Sequence, residues 1–508
     1  MAGETTLSAV PAQPGPGASE VPVLTIALHP DPRRIGERAF LLDERHHLSR
    51  AEPLFARPRG DDHQPIDDPH VSRRGLAIER QAGGLRITGS GAVDGEPLDG
   101  EAGLELDATA LARGVTLALA NRVLVLLHLG DPLAPRSDDR GLVGESGAIA
   151  AVRRQIARIA PLGMSVLVRG ESGTGKELVA QALHRGSPRA AGPFVAVNVA
   201  AIPPTMIAAQ LFGHRRGAFT GAVDDSPGYF GRAEGGTLFL DEIGDAPDDV
   251  QLALLRVLET AEIQPVGAPA PRKVDVRVVA ATDADLEARL ERGELRRPLY
   301  ERLRALSIQV APLRERREDI PRLFLHALDE TLGELGHPER LAPTPPGHAL
   351  WLGVELMQAI LDHDWPGNVR ELQNLARRLA VEAWDAPTIP PDLLEGTGLA
   401  LATPPPVTRP SSAPPRRRLE DIAEAELVEA LEAADYKTAE AARILGVAKS
   451  SLYQLIAKSG LVRKAGDLRE DEIREALAAS GGDPAAAARA LRVSSRGLVL
   501  RMRALRLG

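Results

Sequence analysis

Residues 165–184 read SVLVRGESGTGKELVAQALH: an apolar run, a glycine-rich turn and a helix-forming stretch in direct succession. A strand, a loop and a helix in that order form the setting a phosphate-binding loop requires. Gly170, Gly173 and Gly175 let backbone N–H groups approach phosphate oxygens, the helix N-terminus favours their charge, and Lys176 reaches the β- and γ-phosphates of a nucleotide. A turn that merely joined strand to helix would need no lysine there. The general pattern follows the lysine with a Ser or Thr that holds magnesium; here the residue is Glu177. Downstream, GGTLFLDEIGD (235–245) is a second apolar strand that closes on Asp241 and Glu242. Carboxylates at a strand's C-terminal end, beside a phosphate loop, hold Mg2+ and orient an attacking water, which assigns Asp241 to the metal and Glu242 to the water. An acidic pair closing a strand is usually a solvated turn, but two matched elements in the right order point to a site.

The chain has 508 residues, enough for about three domains. After a Pro/Gly/Ala tail to Glu20, short alternating apolar runs such as VPVLTIAL, HVSRRGLAIE and LRITGSGAV are separated by Gly, Asp and Pro turns, which predicts an all-β sandwich. The proline-broken DPLAPRSDD (131–139) ends it, and from Gly141 apolar strands alternate with helical stretches, which predicts an α/β domain. TPPPVTRPSSAPPRRR (403–418) is a second, stiff linker, followed by short alanine-rich amphipathic helices. A net charge of −9, with 44% hydrophobic and 26% charged residues, excludes a largely disordered or basic-coat protein and confines any nucleic-acid contact to local surfaces. The absence of cysteine excludes disulfide frameworks and thiolate zinc sites and suits a reducing cytosol. No apolar run approaches the ~20 residues of a membrane span and the N-terminus lacks a signal-peptide core, so a soluble, cytoplasmic protein is expected.

Between the two nucleotide motifs lies GAFTGA (217–222). Small residues around one ring and one hydroxyl neither anchor a core nor do acid–base chemistry, so the run reads as a contact for something outside the chain. Together with GESGTGKE and its glutamate, it makes residues 142–395 resemble the AAA+ ATPase activators of sigma-54 RNA polymerase, the bacterial enhancer-binding proteins. In that family GAFTGA tips a loop that touches sigma-54. The resemblance implies that contact for Gly217, Ala218, Phe219, Thr220, Gly221 and Ala222, with the Phe219 ring as anchor and the glycines letting the loop rise and fold. It implies ATP bound by Gly170, Glu171, Ser172, Gly173, Thr174, Gly175, Lys176 and Glu177, with Arg370 of WPGNVRELQN as sensor II. Asn198 of FVAVNVAA is similar to the switch residue that holds the catalytic glutamate away until the partner is engaged. Asp283 of VRVVAATDADL stands at sensor I, where the family has asparagine; an amide donates to the γ-phosphate and an ionised carboxylate does not. Arg296 and Arg302 of LRRPLYERLRAL fall at the arginine-finger positions, with Arg297-Pro298 where the family has an acidic pair. Fingers that act in a neighbour's site imply a ring, a hexamer.

The C-terminal segment repeats itself: residues 426–461 and 472–507 align without gaps, Ala441-Ala442-Arg443 on Ala487-Ala488-Arg489. Each copy reads as a helix-turn-helix, whose last helix enters a major groove of double-stranded DNA. The first copy resembles the Fis-type domain that ends these activators, which implies that Lys449, Ser450, Ser451 and Tyr453 begin the recognition helix. From Arg489 onward the second copy has six arginines and no acidic residue, a phosphate-binding face or else a bundle that only dimerises. The first domain resembles a forkhead-associated (FHA) domain, a sandwich that binds phosphothreonine. Arg50 of LSR fits its first phosphate-contacting loop and Ser72 and Arg73 of HVSRRGLAIE the second, while Gly75 replaces the usual histidine and Ser90 lies near the missing asparagine. The alternative is a sandwich that serves only as a dimer contact. No receiver-domain aspartate pocket is evident.

The expected organisation is therefore multidomain: an FHA-like all-β sandwich (21–130), a linker (131–141), an α/β AAA+ P-loop core (142–310) with a helical lid (311–395), a Pro-rich linker (396–418), an all-α helix-turn-helix domain (419–465) and a second repeat (466–508). The leading expectation is an ATP-driven activator that binds upstream DNA and remodels the sigma-54 closed complex under phosphothreonine-dependent control, its upstream partner a Ser/Thr kinase or phosphorylated protein. A DNA-binding regulator with weak or lost ATPase is the second, and a AAA+ remodeller of another target the third; GAFTGA and the terminal repeat argue against the third.

Overall fold

The computed structural model describes residues 20–57, 62–98, 103–132, 140–394, 397–399 and 424–434, and beyond these 441, 445, 468–481, 483–491, 493, 498, 501–502 and 505. The chain divides into two units, Met1–Ala402 and Thr403–Gly508.

The first unit begins with twelve strands: β1 (Val21–Leu28), β2 (Arg38–Phe40), β3 (Arg45–Leu48), β4 (Phe55–Ala56), β5 (His63–Gln64), β6 (Leu76–Gln81), β7 (Gly84–Gly89), β8 (Ala92–Val93), β9 (Glu96–Pro97), β10 (Leu104–Asp107), β11 (Val115–Leu119) and β12 (Val123–Gly130). They form an eight-stranded sheet, β5-β4-β2-β1-β12-β11-β8-β9, and a four-stranded sheet, β10-β7-β6-β3. A helix, α1 (Ala108–Arg113), links β10 to β11, with the Asp107 carboxylate accepting from Ala110 N–H at its N-cap. The sandwich core packs Leu24, Ile26, Leu48, Phe55, Ile78, Ile87, Leu117 and Val125. The predicted all-β architecture is present. β1 and β12, however, do not alternate: from Pro22 to Leu28 and from Val123 to His128 every residue is buried. Strands buried on both faces need a cover on the second face, and here the lid supplies it.

The α/β core follows with α2 (Gly147–Ile159), β13 (Val166–Arg169), α3 (Lys176–Arg185), β14 (Phe194–Asn198), α4 (Ile207–Phe212), α5 (Gly228–Arg232), β15 (Thr237–Asp241), α6 (Asp248–Thr260), β16 (Glu262–Ile263), β17 (Arg272–Lys273), β18 (Arg277–Thr282), α7 (Leu286–Glu291), α8 (Arg297–Leu303) and β19 (Ser307–Gln309). Its sheet is parallel throughout, in the order β14-β15-β18-β13-β19. The near-continuous apolar strands are those of a sheet covered by helices on both faces. In this order β13 and β15 both end at the edge where ligands bind open α/β sheets, which brings the phosphate loop and the Asp241-Glu242 pair together. Pro298 lies in the first turn of α8, where a missing N–H costs nothing. Arg297-Pro298 therefore opens this helix rather than disturbing it.

The lid consists of α9 (Ile320–Leu335), α10 (Val354–Asp362) and α11 (Asn368–Ala383). α9 buries Ile320, Leu323, Phe324, Ala327, Leu328 and Thr331, a helical spacing that forms one apolar face. In the second unit, helices span Glu424–Ala433, Glu470–Ala479 and Pro484–Ala490, and Leu468, Ile473, Ala487, Ala488, Val493 and Leu498 make one buried cluster. Arg501 donates from its guanidinium to the Leu468 carbonyl at 3.0 Å. It thus ties the end of the second repeat to its first helix. Lys449, Ser450, Ser451 and Tyr453 lie outside the described residues. Among the described residues no helix is long and apolar enough to cross a membrane.

Candidate functional site

The phosphate loop runs from the end of β13 into α3. Gly173 has φ of 79°, and a Cβ there would come within 2.2 Å of the Gly367 carbonyl oxygen on the lid, so only glycine allows this approach. Lys176, 7% exposed, donates to the Gly170 carbonyl at 3.0 Å and faces Glu242 Oε1 at 3.4 Å. Its ammonium is thus held at the mouth of the loop by one carbonyl and one carboxylate, a position a phosphate could take over. Thr174 Oγ1 donates to the Glu171 carbonyl, which closes the turn. Glu177 is exposed, and its carboxylate accepts from Gln181 one helical turn on.

Asp241 ends β15 as the sequence predicts, and Glu242 follows it in a left-handed conformation at φ of 54°. Desolvation raises the Glu242 carboxyl above its ordinary range, Lys176 opposes this, and the negative charge of Asp283 adds to it. A carboxyl shifted upward is better matched to proton abstraction near neutrality than an exposed glutamate. Asp283 also donates its backbone N–H to Glu242 Oε2 at 3.3 Å. The structure therefore brings Asp283, the residue expected at sensor I, to Glu242. Asn198 pairs in register with Asp241 on the adjacent strand, but its amide oxygen accepts from Ala201 N–H at 3.1 Å, and the switch pairing with Glu242 is not formed.

Glu171 differs from the expectation of a nucleotide ligand. Its carboxylate accepts from both terminal nitrogens of Arg314, at 2.8 and 2.6 Å, and from Asn368 Nδ2 at 3.1 Å. The Arg314 guanidinium holds it down to about 2. The Glu171 side chain thus braces the loop, while its backbone remains part of the phosphate-loop turn. Arg370 reaches Ser172 Oγ at 3.3 Å, and Val369 N–H donates to the Gly173 carbonyl, which seats the lid motif directly on the phosphate loop. Arg314, Arg316 and Asn368 escape sequence reasoning. Asn368 stands two residues from Arg370, whereas Arg314 and Arg316 show only as part of an arginine-dense LRERRED run.

The proposed fingers are engaged elsewhere in the same chain. Arg296 donates to the Asp248 carboxylate and Arg302 lies 3.5 Å from Glu259, both on α6. Residues 217–222 form a tight turn: Gly217 N–H donates to the Ala222 carbonyl and Ala222 N–H to that of Phe219. Its base is braced by Arg215 paired with Asp225 and by bridges from His214 to Ser226 and Val266. The Phe219 ring packs edge-on against His214 at 4.9 Å yet is 37% exposed, and Val223 is 71% exposed. In the sandwich, Arg50 N–H donates to the Ser72 carbonyl at 3.1 Å, which joins the two loops that carry Arg50, Ser72 and Arg73. Gly75 has no room for a histidine or any other side chain, because a Cβ there would lie 1.9 Å from the Leu48 carbonyl oxygen.

Among the described residues no group of three or more His, Cys, Asp or Glu could hold a metal by itself. Mg2+ is usually bound through one or two carboxylates plus substrate phosphates, and the carboxylate of Asp241 at the end of β15 is a donor of that kind. The sheet order, the phosphate loop, the carboxylate pair at the end of β15 and the lid seated on the loop define an AAA+ P-loop ATPase module. Residues 142–309 match the family model of the sigma-54 interaction domain, and residues 314–400 that of the AAA+ ATPase lid domain. The chain therefore carries a sigma-54 interaction domain with its lid, an ATPase module of the kind found in transcription regulators. It is 52% identical over 242 residues to the DNA-binding transcriptional regulator NtrC of Salmonella typhimurium, which covers 48% of this chain and 50% of the relative. It is 43% identical over 310 residues to the Nif-specific regulatory protein of Azotobacter vinelandii, covering 60% and 56%. A crystal structure of NtrX from Brucella abortus in complex with ATP is 32% identical, covers 63% of this chain and 69% of its own, and has a TM-score of 0.45. The chain spans about half the length of the curated relatives it matches.

Proposed function

We propose that this protein is an ATP-driven, cytoplasmic transcriptional activator that binds DNA upstream of a promoter, assembles into a hexameric ring and uses hydrolysis to remodel the closed complex of sigma-54 RNA polymerase. The observation that carries this reading is GAFTGA held as a braced, outward-facing turn within the same module as a phosphate loop and carboxylate pair. In the reaction Lys176 binds the β- and γ-phosphates, Glu242 takes the proton of the attacking water, and Arg296 and Arg302 stabilise charge in a neighbouring subunit's site. Asp241 would hold Mg2+, which supplies charge neutralisation on the phosphates. Thr220→Ala is expected to hydrolyse ATP within about two-fold of the parent while losing open-complex formation on a sigma-54 promoter, because the loop lies outside the nucleotide site. Normal open-complex formation by that variant would overturn the assigned contact.

A DNA-binding regulator with little ATPase is the second reading, favoured by one observation: the negative charge of Asp283 beside Glu242. ATP hydrolysis measured with and without sigma-54 separates the two.

The same proposal makes the sandwich a phosphothreonine reader. The join between the Arg50 and Ser72 loops supports it, since the two loops must converge on one phosphate with charge-assisted donors. Calorimetry is expected to show a phosphothreonine peptide binding and its unphosphorylated twin not binding; equal affinities would leave the dimer-contact reading. The first helix-turn-helix copy, with Lys449 and Ser450, is assigned to sequence reading of double-stranded DNA.

A further inference from the structure

The sandwich is seated on the lid through a shared core. Ala27, Leu28, Ile35 and Leu124 of the sandwich belong to the same buried cluster as Phe324 and Leu328 of α9 and Val354 and Ile360 of α10. Polar groups fix the seat. The Thr116 hydroxyl on β11 donates to Gln358 Oε1 on α10 at 2.6 Å. Arg122, 9% exposed, donates to Asp68 within the sandwich at 3.0 Å and to the His348 carbonyl at 2.8 Å.

One short segment touches both this seat and the phosphate loop. Arg317 donates to the carbonyls of Arg113 and Gly114 in the sandwich, at 3.1 and 2.9 Å, and to the Leu361 carbonyl and Asp362 carboxylate of the lid, at 2.9 and 2.8 Å. Its neighbour Arg316, 3% exposed, donates to the Thr174 carbonyl at 3.1 Å. Arg314 grips Glu171, and Leu313 N–H donates to Asn368, which itself donates to the Ser172 carbonyl at 3.1 Å. The peptide group is planar and trans, so a carbonyl fixed on one side aims the next residue's N–H to the other. Arg316 on Thr174 thereby orients Gly175 N–H, and Asn368 on Ser172 orients Gly173 N–H, two of the donors a phosphate needs.

We propose that residues 313–319 couple the seating of the sandwich to the nucleotide site, with Arg316 a positioning residue for the phosphate loop and Arg317 its hold on the sandwich. The inference rests on the loop being the ATP site and names how a signal received by the sandwich reaches it. Seating keeps the loop's N–H groups aimed, so release of the sandwich lowers nucleotide affinity. By linkage, bound nucleotide strengthens seating by the same factor.

The test uses the full-length protein and ADP. Calorimetry on the parent, Arg317→Ala and Thr116→Val is expected to show affinity lowered on the order of ten-fold by Arg317→Ala and less, in the same direction, by Thr116→Val. Arg316→Lys, which keeps a donor for Thr174, is expected to retain part of the affinity that Arg316→Met loses. In the unmodified protein ADP is expected to slow amide hydrogen exchange at Gly114–Thr116, a readout that needs no variant and decides the matter if Arg317→Ala fails to fold. ADP binding normally to the parent and to Thr116→Val, with exchange at Gly114–Thr116 unchanged, would overturn the coupling and leave the nucleotide site standing. Failure of the parent to bind ADP would remove both.

Discussion

Replacing Glu242 with glutamine is expected to leave ATP bound and to slow its hydrolysis by on the order of 10²–10⁴-fold, the span a positioned general base contributes. The amide keeps the size of the side chain and its reach toward Asp283 N–H, but it cannot take a proton. The parent also carries a pH signature. Desolvation raises the Glu242 carboxyl, and a base works only when ionised, so hydrolysis should increase with pH as that raised pKa is crossed. The glutamine variant should lack that limb. Lys176→Ala should fail one step earlier, at binding, since it removes the only ammonium at the mouth of the loop among the described residues. Hydrolysis by Glu242→Gln at the parent rate, measured with saturating ATP, would show that the water is activated elsewhere.

The largest expected loss belongs to the fingers. Arg302→Ala should lower ATPase by on the order of 10³–10⁵-fold, the effect of removing an arginine finger. In this chain Arg302 and Arg296 rest on Glu259 and Asp248 of their own α6, exposed pairs of the kind that contribute little and break readily. A subunit carrying Arg302→Ala has an intact phosphate loop, and one carrying Lys176→Ala has an intact finger. Mixing the two inactive proteins should therefore recover activity at interfaces that combine the intact parts. No recovery at any mixing ratio would mean that the fingers serve their own subunit.

The nucleotide site was legible because its signals are local. GESGTGKE and the strand that ends in Asp241-Glu242 each specify their own geometry within a dozen residues, and the parallel sheet order brings the two together. Glu171 shows the limit of such reading. A motif letter says that a residue is required, not whether it serves the ligand or the loop, and only the guanidinium of Arg314, distant in sequence, decides it. The seat of the sandwich lay further out of reach, since it depends on pairs more than 200 residues apart such as Thr116 with Gln358. One trace of it was present. VPVLTIAL and VLVLLHLG are nearly unbroken apolar runs, where a sandwich with one wet face would alternate, and they mark strands covered on both sides. The C-terminal repeat was visible as a repeat, and the cluster of Leu468, Ile473 and Val493 agrees with helical packing in its second copy.

If the sandwich receives the signal, as proposed, the shared core bears on how freely it could be exchanged for another input domain. A sensory module joined by a linker alone can be replaced by any other, because nothing on the ATPase depends on it. Here the lid presents an apolar face that the sandwich covers, flanked by Gln358 and Arg317, whose partners lie across the seam. A chain begun at residue 140 would carry that face bare, as a sticky surface prone to self-association. A different sensor grafted in its place would have to bring a matching hydrophobic surface with it. The two parts thus constrain one another: a substitution on the covered lid face has to stay compatible with a sandwich that takes no part in the chemistry.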